Sequence, residues 1–153
     1  MTVRIARNPA DFEAADGLAA DVYRVSGLAE PLPIGAGEDR VVLLAEDDGE
    51  VVGTMALVFC GSGAVATRFA IRRRSVLSSW SVLVAEALSE MAKRHVDFMA
   101  TSVNPATQGR WQRCLGLVTV ARGTYEELSG VPAVVMVGSV PGMLTKWNEY
   151  CRG

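Results

Sequence analysis

The chain has 153 residues, half of them apolar and 21% charged, with a formal charge of −2. That length predicts one domain, 1–153, around a continuous core, and the composition is too apolar for a disordered chain. So small a net charge gives no electrostatic drive toward nucleic acid or an anionic membrane, and any phosphate contact has to come from a local basic cluster.

Three cysteines, Cys60, Cys114 and Cys151, are widely spaced, and His95 is the only histidine. This predicts neither a disulfide framework nor a metal site. No apolar run is long enough for a signal peptide or a membrane span, so the expected setting is the reducing cytoplasm.

Thr2 to Ala6, TVRIA, alternates and predicts a first strand. Asn8 caps a helix that opens on Pro9, with Phe12, Ala15, Leu18, Ala19 and Val22 as its apolar stripe. Ser26 to Asp39, SGLAEPLPIGAGED, is too rich in proline and glycine for a helix and predicts a loop over one face. RVVLLAEDDGEVVGTMALVF then reads as an antiparallel hairpin turning at Asp47-Asp48-Gly49. A turn at Gly61 to Gly63 leads into AVATRFAIR, the third strand of a meander.

Ser75 to Arg94 is the clearest helix, with Val76, Trp80, Leu83, Val84, Ala87, Leu88 and Met91 on one face. Val96 to Val103 predicts a buried strand, Pro105 to Cys114 a short helix, Val118 to Arg122 and Val131 to Ser139 two more strands, and an amphipathic tail follows. The order β-α-β-β-β-α-β-α-β-β implies an α/β (α+β) fold. A strand-helix-strand crossover places one parallel pair inside its mixed sheet. Such a pair can splay and leave backbone groups for a ligand to bond.

This order resembles the GCN5-related N-acetyltransferase (GNAT) superfamily over nearly the whole chain. Thr67-Arg68-Phe69-Ala70-Ile71-Arg72 is similar to the Ser-Arg-Phe-Ala-Val/Ile strand of N-acyl amino acid synthases and acyl-homoserine-lactone synthases. So is the spaced run Asn104-Pro105, Trp111, Leu115-Gly116-Leu117, Tyr125 and Gly130-Val131-Pro132-Ala133-Val134. The resemblance implies a mixed central sheet with a splayed parallel pair and helices on both faces. It also implies an acyltransferase taking its acyl group from acyl-CoA or from the acyl-phosphopantetheine of an acyl carrier protein. The acceptor would be a small-molecule amine, attacking directly and without a metal.

On that resemblance the pantetheine arm lies between Arg68–Arg72 and Phe98–Val103, and backbone groups of Phe69, Ala70 and Ile71 polarise the thioester. Arg72, Arg73, Arg74, Ser75, Ser78 and Ser79 replace the glycine-rich loop usual at this helix start. Together with Ser102 and Asn104 they form the expected donor-binding set. That basic run suits one phosphate better than a wrapped diphosphate. Arg68, Trp111 and Tyr125 are the expected substrate-pocket residues, Arg68 either on substrate or anchoring a loop, and Trp111 where the family carries a phenol.

Val65 replaces the glutamate of the lactone synthases. The sequence names no base, though Glu38 or Asp39 could reach in from the loop. The alternatives are an acetyl-CoA-dependent N-acetyltransferase and a silent GNAT-like module that binds a thioester or a partner. Each residue also has a plainer reading: a solvated arginine run, Trp111 and Cys114 as core, Asn104 as a helix cap, His95 as the end of a helix.

Overall fold

The computed structural model describes residues 1–125 and 130–153, with the backbone alone at Tyr125. Strand β1 (Thr2–Ile5) precedes α1 (Pro9–Val25). The meander β2 (Arg40–Asp47), β3 (Glu50–Cys60) and β4 (Gly63–Ile71) comes next. A 3-10 turn, Arg73–Ser75, leads into α2 (Val76–Lys93) and then β5 (Phe98–Val103). A second such turn, Pro105–Thr107, opens α3 (Gln108–Leu115), followed by β6 (Val118–Tyr125), β7 (Val131–Ser139) and α4 (Val140–Arg152).

Local chemistry sets these boundaries. Asn8 Oδ1 accepts the Asp11 N–H at 3.0 Å, and Pro9, which has no N–H to leave unpaired, starts α1. Asp48 and Gly49, at φ 50° and 79°, form the two-residue turn between β2 and β3, the left-handed pair that Asp-Gly adopts readily. Gly116, at φ 68°, ends α3 in the left-handed cap that glycine favours.

The seven strands run in the order β1-β2-β3-β4-β5-β7-β6, with β4 and β5 the parallel pair among antiparallel neighbours. Both faces of the sheet are covered, so β2 is a continuous buried run. Its side chains alternate. Val42 and Leu44 join Ala56, Ala15 and Phe12 beneath α1. Val41, Leu43 and Ala45 join Met55, Leu57, Leu83 and Met91 in the larger core beneath α2, α3 and α4. At Gly53 an added Cβ would stand 3.3 Å from the Ser79 Cβ and 3.2 Å from a Leu83 methyl, so α2 lies close on β3 there.

An ionic tie joins β1, β2 and α1. Arg4 donates to Asp11 and to Glu46, each at 2.8 Å, and Arg7 N–H donates to Asp11 at 2.9 Å. The Arg4 guanidinium, then the Arg7 N–H, hold the buried Asp11 carboxyl down at about 2 from an ordinary 3.8. A lowered carboxylate contributes stability that is complete above its unfolded pKa and fades as pH falls through the folded one. Thermal unfolding between pH 5 and 2 is expected to show the wild-type Tm dropping below pH 3.8 more steeply than that of Asp11→Asn.

Candidate functional site

Strands β4 and β5 pair only from Gly63↔Phe98 to Ala66↔Thr101. Beyond that they part. Thr67–Ile71 stay with β3, in the register Thr67↔Ala56 to Ile71↔Gly53, while Ser102 and Val103 stay with β7. At the junction the buried Thr101 hydroxyl donates to the Ala66 carbonyl at 3.0 Å, capping the last shared rung.

Just past it, Arg68 takes a left-handed φ of 54°, and the β3–β4 register slips between Thr54 and Ala56. This bulge bends β4 away from β5. Arg72 N–H then donates to the Val52 carbonyl at 2.8 Å. Because N–H groups along a strand point to alternate edges, those of Phe69 and Ile71 face the opening, whereas that of Ala70 faces β3.

Between the parted strands lies a cleft of about 1030 Å³. Its lining includes Val22 and Tyr23 of α1 beneath one face of the sheet, and Val76, Trp80 and Trp111 of α2 and α3 beneath the other. The wall is aromatic: Trp111 meets Phe69 edge-on at 5.7 Å and Trp80 at 5.6 Å, and Trp80 meets Trp147 at 5.6 Å. Arg110 adds a cation, its guanidinium carbon 5.6 Å from the Trp80 ring centre.

No protein-family model matches the sequence, and comparison with curated proteins found no match either. Solved structures do match. FeeM, an N-acyl amino acid synthase from uncultured soil microbes, superposes with a TM-score of 0.79 over 95% of this chain and 93% of its own, at 17% identity. An acyl-CoA N-acyltransferase from Pseudomonas aeruginosa gives 0.74 over 90% and 99%, at 14% identity. The ribosomal-protein-S18-alanine N-acetyltransferase from Escherichia coli gives 0.69 over 91% and 94%, at 15% identity. The chain has the GNAT fold. At these identities the likeness is one of architecture.

Within this GNAT fold the expected site residues fall into three groups. Arg68, Phe69, Ile71, Ser102, Asn104 and Trp111 all line the cleft. Asn104 also caps the turn at Pro105, its Oδ1 accepting the Ala106 N–H at 2.9 Å. Trp111 unites both readings of it, buried in the core along one edge and forming the cleft wall along the other.

The basic run is divided. Glu50, across the sheet at the start of β3, holds Arg74 at 2.6 Å and stands 3.7 Å from Arg72 Nε. Arg73 is exposed and makes no ion pair among the described residues. Ser75 and Ser79 are buried, and Ser79 is packed against Gly53 of β3, which keeps it out of the cleft; Ser78 is exposed on the first turn of α2. Tyr125 ends β6, its backbone paired with Val131, and its side chain lies outside the described residues.

Arg68 Nε donates 2.9 Å to the Leu32 carbonyl, which ties it to the 26–39 loop, and it pairs with no carboxylate among the described residues. Asp39 is held by Arg40, whose guanidinium keeps its carboxyl below the usual range, and it does not line the cleft; nor does Glu38. Among the described residues the carboxylate that does is Glu30, and Tyr23 of α1 lines the cleft as well. Sequence reasoning passed over Glu30, Tyr23, Trp80 as a wall and Arg110. For Trp80 a signal existed: it follows Val76 by four residues at the start of the helix after the splayed strand.

The Thr101 hydroxyl is the one side-chain bond across the junction among the described residues. Thr101→Val removes it inside the core, and urea unfolding is expected to report a loss of about 1–2 kcal/mol.

Proposed function

We propose that this protein is an N-acyltransferase. It takes an acyl group from a pantetheine thioester, on an acyl carrier protein or on CoA, and passes it to the amine of an amino-acid-like or other small acceptor. The observation that carries this reading is the parting of β4 and β5. The pantetheine amides would add as an extra strand along the edge that Phe69 and Ile71 leave open. One of these N–H groups would stabilise negative charge developing on the thioester oxygen. The aromatic wall of Phe69, Trp80 and Trp111 would take the acyl chain.

The charges near α2 favour a carrier-protein donor. With Arg72 and Arg74 drawn to Glu50, what remains for a phosphate is Arg73 and the first turn of the helix. That suits the single phosphate of a carrier-protein arm better than the diphosphate of CoA. No cysteine lines the cleft among the described residues, which supports direct attack by the amine.

The test is product detection by mass spectrometry, using acetyl-CoA, long-chain acyl-CoA and acyl carrier protein as donors against a panel of amino acids and small amines. Acyl-carrier-protein turnover is the expected result. Turnover with acetyl-CoA alone would make the protein an ordinary acetyltransferase, and donor binding without product would make it a silent module. Arg73→Ala is expected to weaken holo-carrier-protein binding about tenfold, ~1.4 kcal/mol, as calorimetry would read it.

A further inference from the structure

An amine that arrives protonated cannot attack until it loses a proton, so its approach path needs an acceptor for that proton. Among the described residues lining the cleft, Glu30 is the sole carboxylate, and it is exposed and outside every ion pair. It sits in the 26–39 loop, which enters from the α1 side of the sheet. That side lies across the sheet from the start of α2, to which the proposed function assigns the donor phosphate.

A solvated loop does not by itself hold a carboxylate in place. Here the chain is gripped two residues further on, where Arg68 Nε donates to the Leu32 carbonyl at 2.9 Å. Arg40 makes a second tie, donating to the Ile34 carbonyl at 2.7 Å. Arg68 does so from a φ of 54°, a conformation that glycine adopts freely and a side chain resists. From that φ the guanidinium reaches Leu32 at a backbone cost that glycine would avoid.

We infer that Arg68 is a positioning residue that latches the 26–39 loop, and that Glu30, held by this latch, is the proton acceptor for the attacking amine. The inference rests on the acyl-transfer reading above. In the step, the ammonium gives one proton to the Glu30 carboxylate, which passes it to solvent. The nitrogen lone pair forms the C–N bond, the C–S bond breaks, and the second proton shed by nitrogen reaches the departing thiolate through water. Thioester and amine thus become amide and thiol, with Glu30 regenerated.

The experiment compares wild type with Glu30→Gln, Arg68→Gly, Arg68→Lys and the Glu30→Gln/Arg68→Gly double variant. It reads kcat/KM against pH, together with hydrogen exchange at the Leu28, Leu32 and Ile34 amides. Glu30→Gln is expected to lower kcat/KM about 100-fold at neutral pH, the deficit closing above the acceptor's own pKa, where the free amine needs no base. Arg68→Gly, which eases the backbone, is expected to speed exchange at the three amides and to lower kcat/KM. Arg68→Lys, still a donor, is expected to recover part of that loss. The double variant is expected to be no worse than Glu30→Gln alone.

A Glu30→Gln protein with wild-type rate and pH profile overturns the base. Unchanged exchange in Arg68→Gly overturns the latch, and additive losses in the double variant separate the two residues. A wild-type protein that transfers no acyl group overturns the proposed function and Glu30's role together, and leaves exchange to decide the latch.

Discussion

One backbone event organises this molecule: two parallel strands that share four residue pairs and then separate. Separation strips hydrogen bonds from both edges, so each strand must be held by something else. β4 keeps β3 through Ile71, and β5 keeps β7 through Val103. The sheet is therefore two smaller sheets, β1 to β4 and β5-β7-β6, joined along one short seam. The Arg68 bulge bends β4 outward, and the Thr101 hydroxyl occupies the carbonyl at the last shared rung. Past that rung the free edges meet no strand among the described residues, and donors and acceptors facing an aromatic-walled space are what an extended amide ligand requires.

The aromatic wall gives the indole at position 111 its structural role. Trp111 is one member of a chain of rings, Phe69–Trp111–Trp80–Trp147–Tyr150, with successive centres 5.6–5.7 Å apart. Three of the four contacts are edge-on or steeply tilted, the arrangement that ring quadrupoles favour. A tyrosine at 111 would offer a smaller ring to both Phe69 and Trp80. The position therefore serves packing and wall at once, and it presents no phenolic hydroxyl to the cleft.

Much of the architecture was legible because its signals are local. Asn8-Pro9, Asp48-Gly49 and the apolar stripe of α2 each settle a boundary through the chemistry of a few neighbouring residues. The splay was legible through the crossover from β4 to β5 and the Thr67–Arg72 resemblance. The charges were not. Glu50 lies 22 residues before Arg72 in sequence and meets it only because β3 and β4 pair in one particular register, so the arginine run looked free when read along the chain. Glu30 was hidden for the same reason: nothing local distinguishes it from Glu38 or Asp39, and only the Arg68 tie to Leu32 shows which stretch of the loop meets the cleft. Ser79 is the opposite case, since its spacing of four from Leu83 already placed it on the buried stripe.

The short seam has a mechanical meaning. Four paired residues span about 13 Å and the five free residues of β4 about 17 Å, at roughly 3.3 Å each. The last pair, under Thr101, is thus the fulcrum of a lever whose free arm is the longer one. A slight rotation of one half-sheet against the other is magnified toward the mouth, while the seam itself barely moves. In such a geometry a small change of angle between the half-sheets would widen the mouth while leaving every pairing of β4 with β3 and of β5 with β7 intact.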